Sequence, residues 1–189
     1  MALARALAGL LAAALLAAPG QGRAAAGASI PPVKAETLNK AKLAIPADFT
    51  AARNVLLFSF GRDMQAAVDA WDAALAPDRD GVRVQVYNMP LIPNPGALVR
   101  GFISGGMRSV YADTAVRDRV VVLFVEEKTY FPALGVADRS APLIVVTDRA
   151  GVELGRVQSA LSAEALAAVR TLVADAPRLG GSGAPTAPP

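Results

Sequence analysis

The stretch Ser140-Ala141-Pro142-Leu143-Ile144-Val145-Val146 decides how the rest of the chain is read. A proline stands at the mouth of a fully apolar run, and such a run reads as a strand buried on both faces. A turn follows at Asp148-Arg149-Ala150-Gly151, then a second strand from Val152 to Val157. Two strands this close in sequence leave no room for a crossover, so they pair antiparallel as a hairpin. Ser162 then opens a helix as its N-cap, with Glu164 in the first turn and Leu166, Val169, Leu172 and Val173 facing the core.

Upstream, strands and helices alternate. Val55 to Phe60 is nearly all apolar and predicts a central strand. Asp63 to Ala76 follows as a helix, with Met64, Ala67, Val68, Trp71, Ala74 and Leu75 on one stripe. Pro77 to Gly81 is a turn, and Val82, Val84 and Val86 alternate with polar residues as a half-wet strand. The prolines between Met89 and Pro95 predict an extended loop. Gly96 to Tyr111 reads as a helix interrupted at Gly105-Gly106, and Val120 to Val125 as another buried strand. Tyr130 to Leu134 reads as a short helix with Pro132 in its first turn. The fold class expected is therefore α/β, a central mixed sheet with helices on both faces.

The ends read differently. Met1 to Ala28 has the form of a secretory signal peptide: Arg5, an apolar run from Ala6 to Ala18, and cleavage sites at Ala24-Ala25-Ala26 or Ala26-Gly27-Ala28. Residues 29–52 read as an N-terminal arm with a short amphipathic turn over Glu36 to Leu43 and at most an edge strand. Residues 53–176 form the domain, and 177–189 have the composition of a disordered tail. The expected location is periplasmic or secreted.

Composition narrows the chemistry. The 189 residues carry a formal net charge of +3, too balanced for an electrostatic nucleic-acid footprint. Cysteine and histidine are both absent, which removes thiol and imidazole chemistry together. Asp113, Asp118, Asp138 and Asp148 lack metal-loop spacing and read as turn carboxylates. Ser59, Ser104 and Ser109 have no base in reach by motif. No cofactor and no metal are expected.

The order of elements from Asn54 to Asp175 resembles the thioredoxin superfamily, whose fold is a three-layer sandwich. Asn54 to Ala76 is similar to the strand and helix that carry the family's dithiol, Pro142 to its cis-proline, and Leu143 to Val157 to its terminal hairpin. Within that group the chain resembles the assembly-factor family of mitochondrial ATP synthase and its short bacterial relatives. That likeness rests on Phe58-Ser59-Phe60-Gly61-Arg62-Asp63-Met64, on Gly101-Phe102-Ile103-Ser104-Gly105-Gly106-Met107-Arg108, and on Leu134-Gly135-Val136. Where the family places its thiol, this chain has Arg62 to Gln65, so disulfide exchange loses its nucleophile.

The resemblance implies a peptide-docking ledge: backbone at Ala141 and Pro142, with Arg62 and Asp63 opposite as selecting groups. The segment from Pro90 to Arg108 forms the adjacent wall. Ser104 to Ser109 offers a second candidate, a backbone nest for an anion with Arg108 as counter-charge. Tyr87 and Phe102 are candidates for a groove near the prolines, while Trp71, Tyr130 and Phe131 read as core. The function expected is binding of a protein or peptide partner, as an assembly factor or chaperone. An enzyme using carboxylate or arginine chemistry and a structural domain of a larger complex are the alternatives.

Overall fold

The computed structural model describes residues 27–176. The expected signal peptide and tail lie almost wholly outside that range. Strand β3 (Arg53–Ser59) is the centre of a seven-stranded sheet. Its side chains are buried on both faces, as its apolar run requires: Val55 and Leu57 on one side, Leu56 and Phe58 on the other. Asn54 Nδ2 donates to the carbonyls of Ala51 (3.3 Å) and Asp148 (3.2 Å), tying the start of β3 to its neighbour.

Around it the order is β2-β1-β5-β4-β3-β6-β7. β4 (Val84–Pro93) runs parallel to β3, and β6 (Leu143–Asp148) runs antiparallel on its other side, with Phe58 opposite Leu143. β7 (Glu153–Gln158) closes the predicted hairpin. Its turn depends on Gly151, whose φ of 80° suits glycine; a Cβ there would also collide with the ring of Pro46. On the far side β5 (Val121–Val125) lies parallel to β4.

Residues read as an arm supply two strands. β1 (Val33–Thr37) and β2 (Lys42–Ile45) form a hairpin, and β1 pairs antiparallel with β5. The amphipathic turn expected over Glu36 to Leu43 is absent, because the pattern there has period two. Val33, Ala35 and Leu43 pack on the core while Lys34 and Glu36 are exposed.

Helices α1 (Gln65–Leu75) and α5 (Ala163–Ala174) cover one face, burying Val68, Trp71, Leu75, Val169 and Val173. Ser162 Oγ accepts from Ala165 N at 3.1 Å, the predicted cap. On the opposite face α4 (Glu127–Ala133) buries Tyr130 and Phe131. Pro132 is the sixth of its seven residues, not in its first turn. The helix tolerates it there because only the amide bond to the preceding turn is lost before Gly135, at φ 73°, ends the helix.

Two further expectations change. Of the loop expected from Met89 to Pro95, the part up to Pro93 is strand, and only Asn94 and Pro95 are irregular. β4 leaves β3 at Ser59–Pro90 and takes up β5 at Leu91–Leu123, so Pro90 falls at the changeover and Pro93 at the last position. Helix α2 (Ala97–Val110) runs without a break through Gly105-Gly106. Two glycines lower helix stability by about 1 kcal/mol each relative to alanine, which weakens a helix without ending it. A last short helix, α3 (Thr114–Arg117), is capped by Asp113.

Candidate functional site

At the carboxyl end of β3 the chain makes a single 3-10 turn, Arg62–Met64, before α1 begins. Here the dithiol of the resembling fold would stand. Arg62 and Asp63 are both exposed, and the Asp63 carboxylate folds back over Gly61. Met64 is buried, and its thioether accepts from Phe60 N at 3.5 Å. A thioether caps the strand end where a thiolate would react.

The ledge at Ala141-Pro142 is not built as the resemblance implies. Ile45–Pro46 is the one cis peptide among the described residues, so the Ala141–Pro142 bond is trans. The approach to β6 is shaped by side chains instead. Asp138 accepts from Ser140 N (2.9 Å) and Ser140 Oγ (2.7 Å). Gln158 Nε2 donates to the carbonyls of Asp138 (2.7 Å) and Ala141 (3.4 Å). With Pro142 buried and the Ala141 carbonyl already engaged, that backbone is not free to pair with an added strand.

A groove of about 740 Å³ lies on the other side of β3, between the ends of β3 and β4 and helix α2. Arg62 stands at its rim; Pro90 to Pro93 form the floor; Phe102, Ile103, Met107 and Val110 form the wall. Its polar corner is fixed by Gln65, whose Nε2 donates to Asp69 Oδ1 (2.8 Å) and to Tyr111 Oη (2.7 Å). Burial, and then the Asp69 charge, raise the Tyr111 phenol above its ordinary pKa. Tyr111 is thus a neutral, hydrogen-bonded wall.

Helix α2 itself buries no residue. Leu98 is 93% exposed, Phe102 83% and Val110 78%, an apolar face turned to solvent. Leu98, Phe102 and Val110 recur at helical spacing in the sequence, but periodicity does not say what covers that side. Tyr87, the other groove candidate, is buried and stacked on Phe49 at 5.6 Å between ring centroids. Trp71 is core, its Nε1 donating to Ser159 O at 3.1 Å.

Arg108 does not join Arg62. It faces the other side of α2, where Nε donates to Leu38 O at 2.6 Å and Nη2 bonds the same carbonyl. The candidate anion nest at Ser104 to Ser109 does not exist, since these residues are helical and their amides point along the helix. Asp138, Asp148 and Asp113 are turn and cap carboxylates, as read. Among the described residues no group of three or more carboxylates is placed to hold a metal, and no helix is long and apolar enough to cross a membrane.

No protein-family model and no curated protein matches the chain. Solved structures do. The exposed lipoprotein thioredoxin of Streptococcus pneumoniae is 14% identical, with 75% of this chain and 98% of that one covered at a TM-score of 0.52. The thioredoxin domain of a thiol-disulfide oxidoreductase from Bacteroides vulgatus is 13% identical, with 79% and 99% covered at 0.55. A member of the Sco family of cytochrome c oxidase assembly proteins is 9% identical, with 78% and 95% covered at 0.53. The fold is thioredoxin-like and the chain is free of cysteine. At these identities the likeness concerns the fold alone.

Proposed function

We propose that this chain is a non-redox, thioredoxin-like binding protein, exported to the periplasm, that holds an apolar segment of a protein partner in the groove beneath α2. Its role on this reading is that of an assembly factor or chaperone for an envelope complex, in line with the ATP synthase assembly factors its sequence resembles. The observation that carries the reading is the exposed apolar face of α2 beside a 740 Å³ groove, at the strand end where a redox relative keeps its thiol. Leu98 and Phe102 are one helical turn apart, as are Ile103, Met107 and Val110 in succession, the spacing that receives an amphipathic helix. A soluble domain rarely leaves such residues contiguous and uncovered unless something docks there.

On this reading the occupant is a segment of another protein, an apolar stretch matched to the uncovered face of α2. Phe102→Asp should abolish retention of the partner on immobilised protein from envelope extracts while leaving the Tm within about 2 °C, since an exposed substitution changes stability little. Retention unaffected by Phe102→Asp, or a protein that binds only itself, contradicts the reading.

A further inference from the structure

Helix α2 divides two clefts, and the second differs in chemistry from the first. It lies between α2 and the sheet face formed by β1, β2 and β5, with a volume of about 880 Å³. Three of the chain's four lysines, Lys34, Lys40 and Lys42, line it together with Arg100 and Arg108. The opposing carboxylates in its wall are Glu36 and Asp48. Among the described residues, none of the five cations is in an ion pair, whereas Arg79, Arg119, Arg139, Arg156 and Arg170 are.

The two arginines are positioned without being neutralised. Arg108 is held on the Leu38 carbonyl. Arg100 donates from Nε (2.9 Å) and Nη2 (2.7 Å) to Asn94 Oδ1, and its guanidinium lies 5.8 Å from the centroid of the Phe124 ring. A carbonyl and an amide oxygen fix geometry but carry no charge, so each guanidinium keeps its full attraction for an anion. Lys40 adds a cost consistent with use. It sits at φ 66°, in the left-handed region where glycine or asparagine would fit with less strain.

Room for a ligand comes from α2. Gly101 and Gly105 face the cleft, and a Cβ at either would meet nothing within 4 Å. The floor is apolar, formed by Val122 and Phe124 of β5. Low-dielectric walls under an excess of positive charge, five cations against Glu36 and Asp48, concentrate the field on an anion that enters.

We propose that this cleft binds a small soluble amphipathic anion, a phosphomonoester or its carboxylate equivalent with an apolar body. The anionic head lies among Lys34, Lys40, Lys42 and Arg108, and the body lies on Val122 and Phe124. The site is separate from the groove and stands whether or not a partner docks there.

Octyl phosphate, kept below its micelle concentration, is the probe for isothermal titration calorimetry on the full chain. One saturable site is expected, weakened about a hundredfold in Lys34→Gln/Lys42→Gln, since each of the two lost charged contacts removes about a factor of ten. Inorganic phosphate should bind more weakly than octyl phosphate, and octyltrimethylammonium not at all. Gly105→Leu should fill the cleft and abolish binding without lowering the Tm, which keeps the test clear of misfolding. Phosphatidylglycerol vesicles should leave the protein in the supernatant. Equal binding by the double variant or by the cationic probe, inorganic phosphate binding as tightly as the octyl ester, or sedimentation with vesicles in place of octyl phosphate uptake would each overturn the proposal.

Discussion

Arg156 shows how a single side chain holds the terminal hairpin. Glu153 is 2% exposed, and Arg156 Nε donates to its Oε1 at 2.6 Å while Nη1 donates to Leu134 O at 3.0 Å. Arg156→Met strands a buried carboxylate and should destabilise the fold by about 3 kcal/mol; Glu153→Leu/Arg156→Met should recover most of that loss in urea unfolding. Asp80 acts at the surface. Its Oδ1 accepts from the amides of Val82, Arg83 and Val84, and those bonds hold its pKa below the ordinary carboxylate value. A depressed folded-state pKa contributes stability above the unfolded value and loses it as pH falls through the folded one. Asp80→Ala should therefore lower the Tm near neutral pH, and the difference from wild type should close as pH drops below about 4. The Ser162 cap and the turn aspartates were legible from sequence because their partners are two or three residues away. The lysine cluster was not: Lys34, Lys40 and Lys42 fall within nine positions, yet only the pairing of β1 with β5 sets them opposite Arg100 and Arg108.

Among the elements, the hairpin and α5 were readable because burial and period agree there. Helix α2 was readable as a helix and not as a surface. Its apolar spacing suits a covered helix and an uncovered one equally, and none of its residues is buried. β4 was misread past Met89 because proline argues against a strand interior, a rule that lapses where the strand exchanges neighbours. An uncovered helix carrying Gly101, Gly105 and Gly106 should open more readily than the sheet. Amide hydrogen exchange should show α2 protected far less than β3 and β6, with opening well below the global unfolding free energy. Gly106→Ala, with nothing within 4 Å of the added carbon, should raise protection of α2 by about 0.5–1 kcal/mol. Equal protection of α2 and β3 would mean that the helix is anchored more firmly than its exposure indicates.

Across the whole molecule, the two faces of the sheet are covered by different helices. One face is closed by α1 and α5 beside the β6–β7 hairpin, and the other by α4 over Phe58, Leu123 and Leu143. At α2 the covering layer stands away from the sheet, leaving an apolar groove on one side and a basic cleft on the other. The mixed α/β sheet was legible from the chain alone because its core strands are continuous apolar runs, and its thioredoxin-like form came from the resemblance in the order of elements. The proposed docking face lies at α2 and not at the expected ledge, where the Ala141–Pro142 peptide is trans, Pro142 is buried and the Ala141 carbonyl is bonded. The central claim, that α2 receives a protein partner, is tested most directly by placing a photo-crosslinking residue at Phe102 and, as a control, at exposed Ala167 on α5, in cells producing the full chain. The account predicts one discrete adduct with a second protein from position 102 and none from 167. Identical adduct patterns from the two positions, or no adduct from 102, would contradict it.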